Sequence, residues 1–103
     1  MSGQLDLEKA RREELRWIIL LSLYAAQPVG ASEAIIRNAC DPCIPDLTIT
    51  EMRRELDYLS ERGLIAFLDK SRLLWFAKIN RYGIDVVEYT LPCDPGIARP
   101  KKW

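Results

Sequence analysis

The chain has 103 residues, 49% of them apolar and 29% charged, which is the length of one domain and the composition of a globular one rather than a disordered one. Fifteen Lys plus Arg offset fifteen Asp plus Glu, and histidine is absent; this excludes a polybasic arm that coats nucleic acid, an imidazole base and a His-ligated zinc. No apolar run exceeds five residues, against the roughly 20 that span a bilayer, and Asp6, Glu8, Glu13 and Glu14 near the start are unlike a secretory leader, so the expectation is a cytoplasmic protein without membrane attachment.

Leu5 to Ala26 predicts the first helix. Its opening turns alternate in charge, as a solvated or partner-facing stretch does, whereas Trp17 to Ala26 contains one polar residue, Ser22. Two stripes run along it at helical spacing: Leu15, Ile18, Ile19, Ser22 and Ala26, and Trp17, Leu20, Leu21 and Tyr24. A helix apolar on two sides is buried on two sides, and a chain this short supplies a single small core. The second stripe (Trp17, Leu20, Leu21, Tyr24) is therefore expected at a homodimer interface.

Ser32 to Cys40 predicts a short second helix, with Ser32 as N-cap, Glu33 in the first turn and Ala34, Ile35, Ile36 and Ala39 as its apolar side. Asp41 to Leu47 is a loop with two prolines. Thr48-Ile49-Thr50-Glu51 has the spacing of a capping box and opens a third helix, whose Met52, Leu56 and Leu59 face inward. Gly63 is placed to stop it in left-handed geometry. Leu64 to Leu68 and Leu73 to Ala77 read as strands joined by Asp69-Lys70-Ser71-Arg72, a hairpin. Asn80 is placed to cap a last helix to about Tyr89, with Ile84, Val86 and Val87 inward and Gly83 weakening it by roughly 1 kcal/mol relative to Ala. Residues 1–89 form the expected domain and 90–103 an extended basic tail carrying Arg99, Lys101 and Lys102 and ending in Trp103.

Helix, helix, turn, helix, two-stranded hairpin, helix is the element order of a winged helix-turn-helix domain. Leu56-Asp57-Tyr58-Leu59-Ser60-Glu61-Arg62-Gly63-Leu64-Ile65 resembles the L-x-x-L-x-x-x-G-L-[IV] junction of MarR-like and ArsR-like proteins, where the recognition helix runs through Gly into the first wing strand. Trp75-Phe76-Ala77-Lys78-Ile79-Asn80-Arg81-Tyr82-Gly83-Ile84-Asp85-Val86 is similar to the W-x-A-x-[LI]-T-x-x-G-x-D-V segment of small winged-helix proteins of Mu-like prophages. Pro95-Gly96-Ile97-Ala98-Arg99-Pro100 is similar to their P-G-V-x-R-P ending. Asn80 stands at the usual Thr position, and Cys93-Asp94 precedes the ending. The resemblance implies a phage or prophage origin and an α+β, mostly helical fold: a three-helix core, a two-stranded wing and a C-terminal helix.

The third helix would then read DNA. With Met52, Leu56 and Leu59 inward, Thr50, Arg53, Arg54, Asp57 and Glu61 face outward; the arginines suit guanine edges or phosphates and Thr50 suits the backbone. Against this, residues 48–62 hold three basic and four acidic side chains, a balance equally suited to a solvated face with ion pairs four residues apart. Lys70 and Arg72 at the hairpin tip suit phosphates flanking a minor groove, or are simply the polar tip of a hairpin. Cys40 and Cys43 have zinc-knuckle spacing and Cys93 repeats the Cys-Asp-Pro context, but three thiols without imidazole fall short of the usual four ligands; no metal and no cofactor are expected. No nucleophile has a base partner and no glycine-rich loop or paired-carboxylate motif is present, so no enzyme is expected. Three functions remain, in this order: a dimeric winged-helix regulator that binds duplex DNA, a winged-helix module for protein contacts in phage morphogenesis or DNA packaging, and last a metal- or redox-responsive regulator.

Overall fold

A computed structural model describes residues 3–102; Trp103, the predicted end of the tail, lies outside the described residues. About half the chain is helical. The order is α1 (Gly3–Ala25), β1 (Ala31–Ser32), α2 (Glu33–Cys40), α3 (Ile49–Glu61), β2 (Ile65–Lys70), β3 (Trp75–Ile79) and α4 (Arg81–Val87). The expected α+β class holds at this level: four helices and one antiparallel sheet in the order β1-β3-β2. Among the described residues no helix is long and apolar enough to cross a membrane.

Two of the three predicted side-chain caps form; Asn80 stands at the N-cap position of α4 but makes no cap hydrogen bond there, its Nδ2 donating instead to the Gly63 carbonyl at 3.3 Å. Ser32 Oγ accepts from the Ile35 N–H at 3.3 Å, and Thr48 Oγ1 from the Glu51 N–H at 3.1 Å, each satisfying one of the orphan donors of a helix start. Met52, Leu56 and Leu59 are buried and pack with Leu15, Ile19, Leu20, Leu23 and Ile36 in one core. Gly63 stops α3 at φ +77°, a left-handed conformation that costs glycine nothing. In α2 the apolar side differs from the expectation: Glu33, Ile36 and Cys40 are the buried residues, while Ile35, Ala34 and Ala39 face solvent.

The hairpin is shifted by about two residues from its predicted ends. Lys70 pairs with Trp75 and Ile65 with Ile79, with a bulge between Phe67 and Asp69. Leu73 and Leu74 therefore belong to the turn, not to a strand. Ser71 closes that turn, its hydroxyl donating to the Leu74 carbonyl at 2.9 Å and accepting from the Leu74 N–H at 3.2 Å. The two-residue β1 pairs with the outer edge of β3, Ala31 opposite Ala77, and leaves β3 as the central strand.

The second apolar stripe of α1 needs correcting. Trp17 is 7% exposed and Leu20 is fully buried within the chain itself, so neither is available to a second subunit. The short-chain reasoning missed how much the C-terminal elements cover. α4 packs on α1, and Cys93 and Ile97 pack against the core beyond it. Of the four residues assigned to an interface, Leu21 is exposed, and Tyr24 is half-buried with its hydroxyl donating to Glu88 Oε2 at 2.5 Å.

The segment after α4 is irregular, as an extended tail is, but it lies back on the domain. The Ala98 N–H donates to the Glu13 carbonyl at 3.1 Å, Arg16 Nη1 to the Gly96 carbonyl at 2.8 Å, and the Tyr89 hydroxyl to the Pro100 carbonyl at 2.6 Å. Arg16 also pairs with the fully buried Glu55 at 2.6 Å and lies over the Tyr58 ring. A chain of contacts thus runs from the tail through α1 to the middle of α3.

Candidate nucleic-acid interface

With Met52, Glu55, Leu56 and Leu59 buried, α3 shows solvent a ridge at helical spacing: Thr50, Arg54 and Glu61, exposed, with Asp57 partly so. The flanks of this ridge meet different elements. On one side β2 leaves through Gly63 and the hairpin runs back beside α3. Lys70 Nζ lies 2.8 Å from Asp57 Oδ1, and Arg53 Nη2 donates to the Arg72 carbonyl at 3.3 Å. On the other side Glu51 and Tyr58 meet Arg11 and Arg16 of α1.

Of the predicted contacts, Thr50, Arg54 and Arg72 are exposed, and neither arginine makes an ion pair among the described residues. Arg53, expected to reach DNA, is instead engaged within the chain. Its Nε donates to Glu33 Oε1 at 2.8 Å and its Nη2 to Glu33 Oε2 at 2.6 Å, a bidentate pair. Its guanidinium also lies 4.7 Å from the centre of the Trp75 ring. Asp57 and Lys70 satisfy each other, and Lys70 Nζ sits 4.8 Å from the centres of both the Phe67 and Trp75 rings. Those rings meet edge to face at 5.2 Å, a favoured aromatic geometry.

Glu33 is the residue that sequence reasoning missed. Besides Arg53 it accepts the Trp75 N–H at 3.0 Å, so one buried carboxylate ties α2 to α3 and to the start of β3. The Arg53 hydrogen bonds hold its carboxyl below the usual range, the Trp75 N–H helps, and burial opposes them. A glutamate in a first turn gives no sign of this in the sequence, because such residues are ordinarily exposed beside the helix dipole.

The tail and the cysteines lie elsewhere. Arg99 Nη1 turns inward and donates to the Val86 and Leu91 carbonyls, both at 2.9 Å, while Lys101 and Lys102 are exposed. Cys40 is buried, Cys43 exposed and Cys93 half-buried, all as free thiols; burial pushes the Cys40 thiol up to about 12. Among the described residues no three His, Cys, Asp or Glu side chains gather as a metal-holding group. No family model, curated protein or solved structure matches the chain.

Proposed function

We propose that the chain is a winged helix-turn-helix protein of phage or prophage origin that binds duplex DNA through the outer ridge of α3 and the tip of the β2–β3 hairpin. The observation that carries this reading is the hairpin lying beside α3 and touching it through Arg53 and Asp57, with Arg54 and Thr50 on the ridge and Arg72 at the tip all open to solvent. A helix in a major groove with a β-ribbon beside it at the flanking phosphates is the docking mode such an arrangement suits. The contact set is Thr50, Arg54 and Arg72; Lys70 is held by Asp57 against the Phe67 and Trp75 rings. Arg53 holds the hairpin against α3 through Glu33 and is not a base reader. A dimer is not needed for this reading, because Trp17 and Leu20, two of the four residues that motivated it, are buried within the chain itself.

Titration of a mixed-sequence duplex over a salt series tests the proposal. Each phosphate held by a basic side chain contributes about 0.9 to the slope of log affinity against log salt. Wild type is expected to bind at low salt with a steep slope, and Arg72→Ala to reduce that slope by about one. Absence of duplex binding at low salt overturns the reading. It would favour the second one, a module for protein contacts in phage morphogenesis or packaging. What speaks for that alternative is apolar: Leu68, Leu73 and Leu74 on the hairpin and Ile35 on α2 are all exposed, Leu73 by 91%, beside an α3 ridge that carries Asp57 and Glu61.

A further inference from the structure

The flank of α3 facing away from the hairpin carries its own charged cleft. Arg11 Nε and Nη2 donate to the two oxygens of Glu51 at 2.8 and 3.0 Å, and Nη2 reaches the Pro45 carbonyl at 3.3 Å. Around this pair Glu8, Arg11 and Arg12 of α1 and Glu51 and Arg54 of α3 line an open cleft of about 350 Å³. Arg11 and Glu51 neutralise each other. That leaves Arg12 and Arg54, neither in an ion pair among the described residues, against the single carboxylate of Glu8.

A helix seated in a major groove about 12 Å wide has a phosphate strand on each side. The hairpin serves one side of α3. We propose that Arg12 and Arg54 form a phosphodiester-binding cleft that holds the opposite strand, so that α3 is clamped from both flanks. The proposal rests on the DNA-binding reading above. Two arginines that line one cleft from separate helices suit the oxygens of a phosphodiester, to which arginine donates in parallel pairs. The Arg11–Glu51 pair fixes α1 beside α3 and so sets the distance between the two arginines. Glu8 opposes an anion there and moderates the affinity. The acidic balance of α3 is then less of an obstacle than it looks in the sequence, since Glu51 is neutralised by Arg11 and Glu55 by Arg16.

The test is fluorescence anisotropy of a labelled mixed-sequence duplex over a salt series. Arg12→Ala, which leaves the ridge residue Arg54 in place, is expected to lower the salt slope by about one, at about 0.9 per phosphate. Glu8→Gln is expected to raise affinity at fixed salt, a gain that no loss of folding produces. The control is Lys78→Ala, which removes the same charge; Lys78 lies by Gln27 and Pro28 at the other end of α1. It is expected to leave the slope near wild type. If wild type binds but Arg12→Ala keeps the control's slope, the cleft is overturned while the hairpin and ridge stand. If wild type does not bind at low salt, the DNA-binding reading falls and the cleft with it.

Discussion

At position 33 a carboxylate with 1% of its surface exposed survives burial because Arg53 and the Trp75 N–H supply three hydrogen bonds. A buried charge without such partners would neutralise itself or leave the core. Because the folded carboxyl titrates below the ordinary glutamate value of 4.5, the unfolded chain binds the proton more readily. The stability Glu33 contributes is therefore complete above that value and is lost as pH falls through the depressed folded one. Glu33→Gln is expected to lower stability at neutral pH by about 1–3 kcal/mol, the usual cost of leaving a hydrogen-bonded charged group without its partner. It is also expected to make stability fall less steeply on acidification. Thermal unfolding of both chains between neutral and acidic pH checks this. Parallel curves would move the acid-sensitive contribution to another carboxylate, first of all Glu51, which Arg11 also holds low.

Between one element and the next, what the sequence made legible was what local chemistry dictates. Thr48, Met52, Leu56, Leu59 and Gly63 define α3 because capping, a 3.6-residue period and a left-handed stop each leave a mark in the residues. The hairpin was legible as an element but not in its ends. Leu73 and Leu74 look like the start of a strand, and only the Ser71 hydroxyl bonding across the turn makes them its tip. β1 was invisible, since two residues carry no alternation and pair only because β3 offers a free edge. In α2, eight residues are too few for a period to separate Ile35 from Ile36, and the burial of Glu33 depends on an arginine twenty positions away. Gly83 shows the same limit. Helix propensity alone predicts that Ala there gains up to about 1 kcal/mol. The structure packs Gly83 against β2 and β3, where a Cβ would overlap the Leu64 carbonyl and the Ile79 side chain. Overpacking against backbone typically costs about 1–3 kcal/mol, which exceeds the propensity gain. Gly83→Ala is therefore expected to lower the urea midpoint; a raised midpoint would show that α4 can shift away from the sheet.

For the molecule as a whole, the question is what covers α1. A helix apolar on two sides suggests a second subunit when the chain is counted as one small core, yet here α4 and the segment after it enlarge that core from within. Ile97 packs on the core, Arg16 reaches the Gly96 carbonyl, and Arg99 caps the Val86 carbonyl at the end of α4. Removing residues 91–103 strips all three contacts at once while leaving every helix and strand in the chain. Partial loss of an isoleucine's burial together with two charge-assisted hydrogen bonds amounts to about 2–4 kcal/mol. At about 4 °C or more per kcal/mol, that lowers Tm by on the order of 10 °C. The truncated protein is expected to keep its helical circular dichroism at low temperature and to melt early. Sedimentation supplies the converse check. A full-length chain whose Tm is indifferent to the truncation, and which sediments as a dimer, would mean that a partner rather than the tail covers this side of α1, and the apolar stripe would return to an interface.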